Sequence, residues 1–436
     1  MPKLFGTDGV RGVAGERLSA ELAVALGRAA AAQVAAERPQ VVIVRDTRES
    51  GPMLESALAA GIAQAGGDAL IAGVLPTPAA SVLVRRLGLD MAAVVSASHN
   101  PWRDNGIKFF GADGAKLSDE AEAQIETAVQ APPEPAAAGV GRTRELHGAL
   151  DDYLRELHSG FRLDLSGLHV VLDCANGATY RAAPAIFERL GARVEAICCD
   201  PDGRNINEAC GSTHPEALAE RVVAAGADLG FAYDGDGDRL IAVDGDGATR
   251  DGDELISVVA ADLRERGELG GGVVVTVMSN FGFHSAMQEA GVEVEVTPVG
   301  DRHVAAGLRA HGWRLGGEQS GHVIWTEFAP TGDGIAASLL LSRALAGRPL
   351  AQSVPMSRLP QTLVNVEVAD RDSVGEATAV WAAVEEENAG LEGRGRVLVR
   401  PSGTEPLVRV MVEAPEQAEC DEVAERLVAV VERELG

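Results

Sequence analysis

The chain has 436 residues, of which 24% are charged and 46% hydrophobic, as in an ordinary globular enzyme. Its 38 basic and 65 acidic side chains leave a net charge of −27, which argues against non-specific binding to nucleic acid. No apolar run approaches the roughly 20 residues that span a bilayer, and the N-terminus lacks the apolar core of a signal peptide. Five cysteines without a C-x-x-C pair argue against a disulfide framework and against structural zinc. We therefore expect a cytoplasmic protein with no nucleic-acid or membrane partner.

The first 150 residues alternate strand and helix patterns. A glycine-rich opening, F-G-T-D-G-V-R-G at 5–12, is expected to form a flexible loop, although its Arg11 would suit a phosphate group. After it the patterns predict helices near 19–37, 52–66 and 78–87 and strands at 41–45, 68–74, 91–95 and 107–110. This is the rhythm of a sheet covered by helices. A Pro/Ala-rich loop at 130–135 precedes a connecting helix near 148–158, and the first domain boundary is placed there.

The alternation restarts twice before the pattern changes. The second unit has predicted strands at 169–174, 193–197, 229–233 and 240–243 with helices near 180–190 and 215–225, and the third has strands at 273–278 and 293–297 with a helix near 282–290. The last part has predicted strands at 362–368, 397–400 and 407–412 with helices near 372–388 and 416–434. We therefore expect three similar α/β units and a smaller C-terminal α+β domain. The predicted domains are 1–150, 151–250, 251–360 and 361–436.

The stretch V-V-S-A-S-H-N-P at 94–101 places small polar residues directly after a buried strand, where ligands collect in open α/β sheets. Ser98, His99 and Lys108 bring a hydroxyl, an imidazole and an ammonium near one strand end. Such a set suggests a nucleophilic serine in an electropositive pocket. Ordinary serine-rich turns have the same appearance, so this pattern alone leaves both interpretations open.

The motif D-G-D-G-D-R at 234–239 gathers three carboxylates in one tight loop between two predicted strands. The carboxylates are Asp234, Asp236 and Asp238. Hard oxygen ligands in such a loop suit Mg²⁺ or Ca²⁺ rather than zinc, and their mutual repulsion favours a bound cation. An EF-hand is excluded because its sixth position would be Arg239 instead of glycine and its twelfth Gly245 instead of glutamate. The later D-G-D-G at 244–247 is expected to be a hairpin turn.

Two further polar loops contain residue types that are used in ligand recognition. G-E-Q-S-G-H at 317–322 would suit sugar hydroxyls or an amine, and equally fits a plain polar loop before a strand. R-P-S-G-T-E-P at 400–406 lies between two predicted strands, and a second arginine, Arg409, follows it. Its arginines, hydroxyls and exposed amides resemble a phosphate cradle without the lysine and helix of an NTPase loop. The four segments together fit phosphoryl transfer between an enzyme serine and a phosphosugar.

These four motifs and the opening F-G-T-D-G-V-R-G make five motifs between residue 5 and residue 406. In this order they resemble the α-D-phosphohexomutase superfamily over nearly the whole chain. The opening motif, with D-C-A-N-G-A at 173–178 and V-G-D-R at 299–302, is similar to the glucosamine branch, and Trp102 is a small departure. The resemblance implies mixed sheets flanked by helices around a central cleft. It also implies interconversion of glucosamine 6-phosphate and glucosamine 1-phosphate through a phosphoserine enzyme and a bound 1,6-bisphosphate, supplying UDP-N-acetylglucosamine and cell-wall precursors.

The resemblance also implies roles for individual residues. Mg²⁺ would be held by the phosphorylated Ser98 and by Asp234, Asp236 and Asp238. The candidates for proton transfer and charge stabilisation, which the sequence does not rank, would be Arg11, His99 and Lys108. The substrate-binding residues would be Arg239, Asp301, Arg302, Glu318, Ser320 and His322. The phosphate-binding residues would be Arg400, Ser402, Gly403, Thr404 and Arg409.

The implied activator is glucosamine 1,6-bisphosphate or another hexose 1,6-bisphosphate, and the implied partner is a small phosphosugar, bound by a monomer or a homodimer. Phosphoglucomutase/phosphomannomutase activity on the same scaffold is the nearest alternative. A non-catalytic sugar-phosphate sensor is another, although a sensor would not need the serine and the aspartates. A phosphatase is the third, and it would release phosphate from glucosamine 6-phosphate.

Overall fold

The described residues of the computed structural model are 4–6, 8–131, 139–402 and 406–436. The chain forms two compact units. The first unit is Met1–Met278 with Val292–Pro355, and the second unit is Ser279–Gly291 with Met356–Gly436. No helix in the described part of the chain is long and apolar enough to cross a membrane.

The first unit begins with a mixed sheet. Its strands are β1 (Val10–Val13), β2 (Gln40–Arg45), β3 (Asp68–Val74), β4 (Met91–Val95), β5 (Asp104–Gly111) and β6 (Thr143–Glu145). Its helices are α1 (Ala20–Ala32), α2 (Gly51–Gln64), α3 (Thr77–Leu87) and α4 (Asp119–Gln130). The strand order is β1-β5-β4-β2-β3-β6, with β2 parallel to β3 and β4, and β5 antiparallel to β4 and β1. The apolar runs of β2 and β4 are buried because helices α2 and α3 pack against them.

A second mixed sheet follows in the same unit. Its strands are β7 (His169–Asp173), β8 (Arg193–Ile197), β9 (Leu229–Tyr233), β10 (Leu240–Asp244) and β11 (Thr249–Arg250). The helices before and between them are α5 (Ala149–Phe161), α6 (Ala182–Arg189) and α7 (Glu216–Ala225). The order is β11-β10-β9-β7-β8, and β7 runs parallel to both of its neighbours. Because β9 and β10 pair antiparallel, the loop at 234–239 lies at the carboxyl end of β9, beside the end of β7.

The third sheet completes the first unit. Its helices are α8 (Gly252–Glu265), α10 (Asp301–His311) and α11 (Gly334–Leu345), whereas α9 (Phe281–Glu289) is part of the second unit. Its strands are β12 (Gly272–Thr276), β13 (Glu293–Thr297), β14 (Leu315–Gly317) and β15 (Val323–Trp325), in the order β13-β12-β14-β15. Asp251 caps α8 in a capping box with Glu254, which explains why this helix begins at Gly252.

The second unit is a small antiparallel sheet with helices. Its strands are β16 (Gln361–Glu367), β17 (Arg396–Pro401) and β18 (Leu407–Glu413), in the order β16-β18-β17, and its later helices are α12 (Thr378–Gly390) and α13 (Gln417–Leu435). Val408, Val410 and Val412 point from β18 into a core that includes Leu427 of α13. The buried Glu413 accepts hydrogen bonds from the Phe281 amide and from Arg396, which joins α9 to this sheet.

The predicted fold class is confirmed, because the described residues form three mixed sheets flanked by helices and a small antiparallel C-terminal sheet. The hairpin at 244–247 is also confirmed, since β10 and β11 pair antiparallel around it. Three local predictions were wrong. The opening stretch is not simply a loop, because β1 pairs with the edge strand β5. The helix predicted at 19–37 ends at Ala32, before Pro39, and the helix predicted from 372 begins at Thr378 after a 3₁₀ turn.

Candidate active site

Ser98 lies just beyond β4 in a tight loop, residues 96–101, which we name the serine loop. It is 2% exposed, and its φ of 52° falls in the left-handed region that costs a residue other than glycine roughly 1–3 kcal/mol. Its amide donates to the Ser96 hydroxyl at 3.0 Å. A strained conformation of this kind persists only when the surrounding structure holds it.

Arg48 supplies much of that support. It is fully buried, and its guanidinium donates at 2.5–2.9 Å to the backbone carbonyls of Ser98, Asn100, Pro101 and Asp104. Asp46 pairs with Arg48 Nε at 2.8 Å and accepts from the Ser96 hydroxyl at 2.6 Å. Asn207, in the segment between β8 and α7, donates to the Ser98 carbonyl at 2.9 Å. The serine loop is therefore held by two segments that are distant in sequence.

The Ser98 hydroxyl faces residues 234–239, which we name the aspartate loop. Its Oγ donates to Asp234 Oδ2 at 2.5 Å and lies 3.3 Å from His99 Nδ1. Burial lowers the pKa of His99, and the positive charges of Arg239 and Arg11 lower it further. The imidazole is therefore neutral near pH 7 and able to accept a proton.

The three aspartates of this loop, the aspartate trio, form one buried cluster. Asp234, Asp236 and Asp238 each place a carboxylate oxygen within 4.8 Å of the others. Asp236 Oδ1 and Asp238 Oδ1 have no hydrogen-bond partner among the described residues. Burial, together with the charges of Asp238 and Asp236, raises the pKa of Asp234 well above its usual value. Buried carboxylate oxygens without donors are the ligands that a hard divalent cation satisfies, so these residues fit a metal ion.

Two lysines face the same carboxylates. Lys108 Nζ lies 2.9 Å from Asp236 Oδ2 and 3.4 Å from Asp8 Oδ2. Burial opposes its charge, but Asp236 and Asp8 raise the pKa of Lys108 above its usual value, so it remains a cation. Lys116 pairs with both Asp8 and Asp301, which raise its pKa to about 12 against the effect of burial. The negative charge of the site is thus partly balanced within the first unit.

His322, predicted from the G-E-Q-S-G-H motif, is buried beside the aspartate trio. Its Nδ1 lies 3.7 Å from Asp238 Oδ2, and its Nε2 accepts a hydrogen bond from the Gly332 amide at 3.1 Å. Burial opposes protonation, while Asp238 and Asp301 raise the pKa of His322. Because the Gly332 amide donates to Nε2, that nitrogen keeps its lone pair. The imidazole therefore carries its proton on Nδ1, toward Asp238.

The other residues predicted to bind sugar differ in their contacts and exposure. Glu318 Oε1 accepts from the Gly300 amide at 3.0 Å, and Ser320 is exposed at the tip of its turn. Arg239 is half-buried, and its backbone amide donates to Asp234 Oδ1 at 3.1 Å. Burial opposes the charge of Arg239, while Asp238, Asp234 and Glu318 raise the pKa of its guanidinium above the usual value.

Two predicted arginines are already paired with carboxylates. Arg302 binds Glu122 at 2.6 Å and also contacts Asp119, both on α4, so its guanidinium is paired with that helix. Arg11 pairs with Asp8, three residues before it. The structure therefore brings Arg11 to the site as part of an ion pair and directs Arg302 to a helix.

The predicted phosphate cradle belongs to the second unit. Arg400 and Arg409 stand directly opposite each other on β17 and β18, and burial together with the charge of Arg409 lowers the pKa of Arg400. Ser402 is buried, and its amide donates to the Leu407 carbonyl at 2.8 Å. Gly403 and Thr404 lie outside the described residues. Two guanidinium groups facing across a strand pair repel each other, and an anion would relieve that repulsion.

Sequence reasoning missed several residues that complete this site. They are Asp8, Asp46, Arg48, Thr77, Lys116 and Asn207. Thr77, for example, donates to Asp236 Oδ2 at 2.6 Å from the start of α3. One signal was available: D-T-R at 46–48 follows β2 as directly as the serine loop follows β4, and parallel strands bring such ends together. Asp8 lies inside the opening motif at 5–12, whereas Thr77, Lys116 and Asn207 carried no local pattern.

Models of the phosphoglucomutase/phosphomannomutase domains match the chain in order. The α/β/α domain I matches residues 2–135, domain II residues 151–247, domain III residues 251–363 and the C-terminal domain residues 363–430. Among curated proteins, the phosphoglucosamine mutase of Desulforudis audaxviator is 53% identical over 441 residues, covering 99% of this chain and 98% of its own.

Two solved structures share this architecture. A phosphoglucomutase/phosphomannomutase family protein from Burkholderia thailandensis superposes with a TM-score of 0.85 at 27% identity, covering 99% of this chain and 97% of its own. The N-acetylphosphoglucosamine mutase of Aspergillus fumigatus, in complex with GlcNAc-6P and magnesium, superposes with a TM-score of 0.71 at 19% identity. The match covers 99% of this chain and 96% of the other. The second likeness concerns the fold alone.

Proposed function

The chain belongs to the phosphoglucomutase/phosphomannomutase family, and on that basis we propose that it interconverts glucosamine 6-phosphate and glucosamine 1-phosphate. The substrate follows from relatives about half identical over nearly the full chain, which are phosphoglucosamine mutases. The observation that carries the chemistry is the Ser98 hydroxyl, hydrogen-bonded to Asp234 in a buried cluster of three carboxylates.

In the proposed reaction Ser98 carries a phosphoryl group. The bond between phosphorus and Ser98 Oγ breaks, and a bond forms to the 1-hydroxyl of glucosamine 6-phosphate, whose proton is lost. The bound 1,6-bisphosphate turns over, and Ser98 Oγ then receives the 6-phosphoryl group while glucosamine 1-phosphate leaves. A hexose 1,6-bisphosphate restores the phosphoserine of any molecule that has lost it. The fixed serine loop keeps Oγ in line for both transfers.

The aspartate trio and the Ser98 phosphate would together hold Mg²⁺. The bound ion supplies neutralisation of the charge that builds up on the transferring phosphoryl oxygens. Lys108 stays protonated beside Asp236 and adds a second positive charge at the same place.

Among the three candidates for proton transfer we propose His99, and we propose that Lys108 and Arg11 stabilise charge. His99 is neutral near pH 7 and its Nδ1 is 3.3 Å from Ser98 Oγ, so it is the group that accepts and returns the substrate proton. Lys108 is held as a cation by its carboxylate partners and therefore stabilises charge. The guanidinium of Arg11 is held by its pairing with Asp8, which suits it to orient phosphate oxygens.

Recognition of the sugar and its other phosphate falls to the remaining predicted residues. Those proposed for the sugar are Arg239, Asp301, Glu318, Ser320 and His322, with Arg302 as a support through its bonds to α4. Those proposed for the phosphate that is not being transferred are Arg400, Ser402, Gly403, Thr404 and Arg409. The facing pair of Arg400 and Arg409 suits a dianion better than a sugar hydroxyl.

A coupled assay for glucosamine 1-phosphate from glucosamine 6-phosphate, with Mg²⁺ and a catalytic amount of hexose 1,6-bisphosphate, tests the proposal. We expect robust turnover that Ser98→Ala abolishes while its circular dichroism spectrum stays that of the parent. Asp246→Asn, which removes an exposed carboxylate of the hairpin after β10, is the matched control and should retain full activity. Near-normal turnover by Ser98→Ala would refute the nucleophile.

The same assay separates the alternatives. Faster turnover of glucose 6-phosphate than of glucosamine 6-phosphate would keep the mechanism and overturn the substrate. Net phosphate release from glucosamine 6-phosphate would indicate a phosphatase. Binding without turnover of either sugar would support a sensor.

A further inference from the structure

A second cluster of metal-ligating side chains lies in the first unit, outside the site described above. Asp173, Cys198 and Cys210 place one carboxylate oxygen and two sulfur atoms within 4.8 Å of one another. None of them belongs to the aspartate trio, and the proposed reaction uses none of them. We propose that these three residues bind a thiophilic divalent cation such as Zn²⁺.

Sheet topology brings these residues together although they are far apart in sequence. β7 and β8 are adjacent and parallel, with Asp173 paired to Ile197. Asp173 and Cys198 therefore lie side by side at the carboxyl ends of these strands, which form one edge of the sheet. Cys210 reaches this edge because the next residue, Gly211, donates its amide to Asp173 Oδ2 at 2.8 Å. The lack of a C-x-x-C pair in the sequence argues against a zinc site formed by one loop. It does not bear on a site assembled from three separate segments.

The donor set and its surroundings fit a soft cation. Two thiolates with one carboxylate leave a fourth position for water, as in open zinc sites, whereas Mg²⁺ prefers oxygen ligands alone. The Ala175 amide donates to Asp173 Oδ1 at 2.9 Å, so backbone bonds orient both oxygens of the carboxylate. Asp173 and Cys210 are buried, whereas Cys198 is half-buried and opens the cluster to solvent. A cation and its water can therefore reach the sulfurs.

A bound cation would hold both ends of residues 198–210. Within this segment three residues other than glycine have left-handed backbone: Cys198 (φ 50°), Asn207 (φ 59°) and Ala209 (φ 51°). Asn207 is also the residue that donates to the Ser98 carbonyl at 2.9 Å. The cation would therefore stabilise a strained segment that contacts the serine loop, and its binding can be measured without any substrate.

The test uses the full chain, reduced with a phosphine, stripped of metal and then titrated with Cd²⁺ in the presence of excess Mg²⁺ to occupy the aspartate trio. We expect a thiolate-to-Cd²⁺ charge-transfer band in the near ultraviolet that saturates at one equivalent and disappears when Zn²⁺ is added. Cys198→Ser and Cys210→Ser should each weaken binding by about tenfold or more. Zn²⁺ should also raise the thermal unfolding midpoint of the parent more than that of Cys198→Ser.

Two matched variants locate the site. Cys199→Ser changes the neighbouring half-buried residue, which is not one of the three proposed ligands, and Cys420→Ser changes a thiol of the second unit. Both should keep the band. If the buried Cys210→Ser fails to fold, Cys198→Ala at the half-buried position decides. The proposal would be overturned if no saturable band formed, if the Cys198 variants left the band unchanged, or if Cys199→Ser abolished it. It would also be overturned if Cys198 and Cys210 formed a disulfide and the reduced protein retained no Cd²⁺.

Discussion

Arg48 shows how one buried charge can hold the backbone of a loop in place. A fully buried arginine is tolerable only when it is paired and all its donors are used, and Asp46 with four backbone carbonyls meets both conditions. The carbonyls all belong to the segment around Ser98, so the arginine fixes the backbone that carries the Ser98 hydroxyl. A substitution of Arg48 that keeps the positive charge should therefore reduce activity more than it reduces stability.

We expect Arg48→Lys to lose activity more than stability. The lysine keeps a positive charge beside Asp46 but lacks the fork that reaches four carbonyls, so the free energy of unfolding should fall by about 1–3 kcal/mol. A serine displaced by about 1 Å should lower kcat by roughly 100-fold. Denaturant unfolding and the coupled assay measure the two effects. Arg45→Lys, at a part-exposed ion pair with Glu55, is the control, with a change within about 1 kcal/mol; equal losses in both variants would contradict the role of Arg48.

His284 should make the stability of the chain depend on pH. Burial, and then the charge of Arg396, lowers the pKa of His284 to about 4, below its unfolded value of about 6.5. Between those pKa values the unfolded chain binds one more proton at this residue than the folded chain does. The free energy of unfolding is therefore highest above about pH 6.5 and decreases as the pH falls to about 4. The loss is on the order of 2 kcal/mol after screening by solvent. His284→Gln should flatten the unfolding free energy over this window, and an unchanged slope would contradict the assignment.

At the level of elements, close backbone contact joins the loop after β7 to the aspartate loop. The Ala178 amide donates to the Gly235 carbonyl at 2.8 Å. A Cβ added at Gly177 would lie 2.4 Å from the Gly235 carbonyl oxygen and 2.7 Å from its Cα. Glycine is required here because a side chain would have no room, and not because of the backbone φ angle. The atoms that a Cβ would meet are backbone atoms, which cannot rotate aside as a side chain could.

Gly177→Ala should therefore displace the aspartate loop. We expect the free energy of unfolding to fall by about 1–3 kcal/mol from overpacking and the Mg²⁺ concentration for half-maximal activity to rise. Gly390→Ala is the control, because its added Cβ meets open space at the end of α12 and should be neutral or stabilising by up to about 1 kcal/mol. An unchanged Mg²⁺ requirement in Gly177→Ala would show that the loop tolerates the shift.

The features that were predicted correctly from the sequence are those that a short local pattern encodes. The apolar runs of β4 and β9 end at Ser98 and the aspartate loop, and strand ends of this kind can be recognised without a structure. Lys116 and Asn207 could not be found in this way, because each acts on residues about 100 or more positions away, and only the packed sheets bring them there. β1 was missed because its pairing with β5 is decided by an available edge rather than by its own four residues.

For the molecule as a whole, the balance of charge bears on stability and on metal binding. The net charge is −27, and the aspartate trio concentrates three of the negative charges in a buried site. Lys108 and Lys116 offset part of this charge, yet two carboxylate oxygens of the trio have no donor among the described residues. The metal-free protein should therefore be less stable than the protein with a divalent cation.

Asp234→Asn tests that balance, because it removes the carboxylate whose pKa is raised well above its usual value by burial and by Asp238 and Asp236. Without metal, the variant should melt at a higher temperature than the parent, since the repulsion is relieved and the asparagine oxygen can still accept from Ser98. Mg²⁺ should raise the melting temperature of the parent strongly and that of the variant only weakly. Asp246→Asn removes the same net charge at an exposed position and should behave as the parent. If NaCl of equal ionic strength stabilised the parent as much as Mg²⁺ does, general screening of the acidic surface would explain the effect, and the trio would not be the metal site.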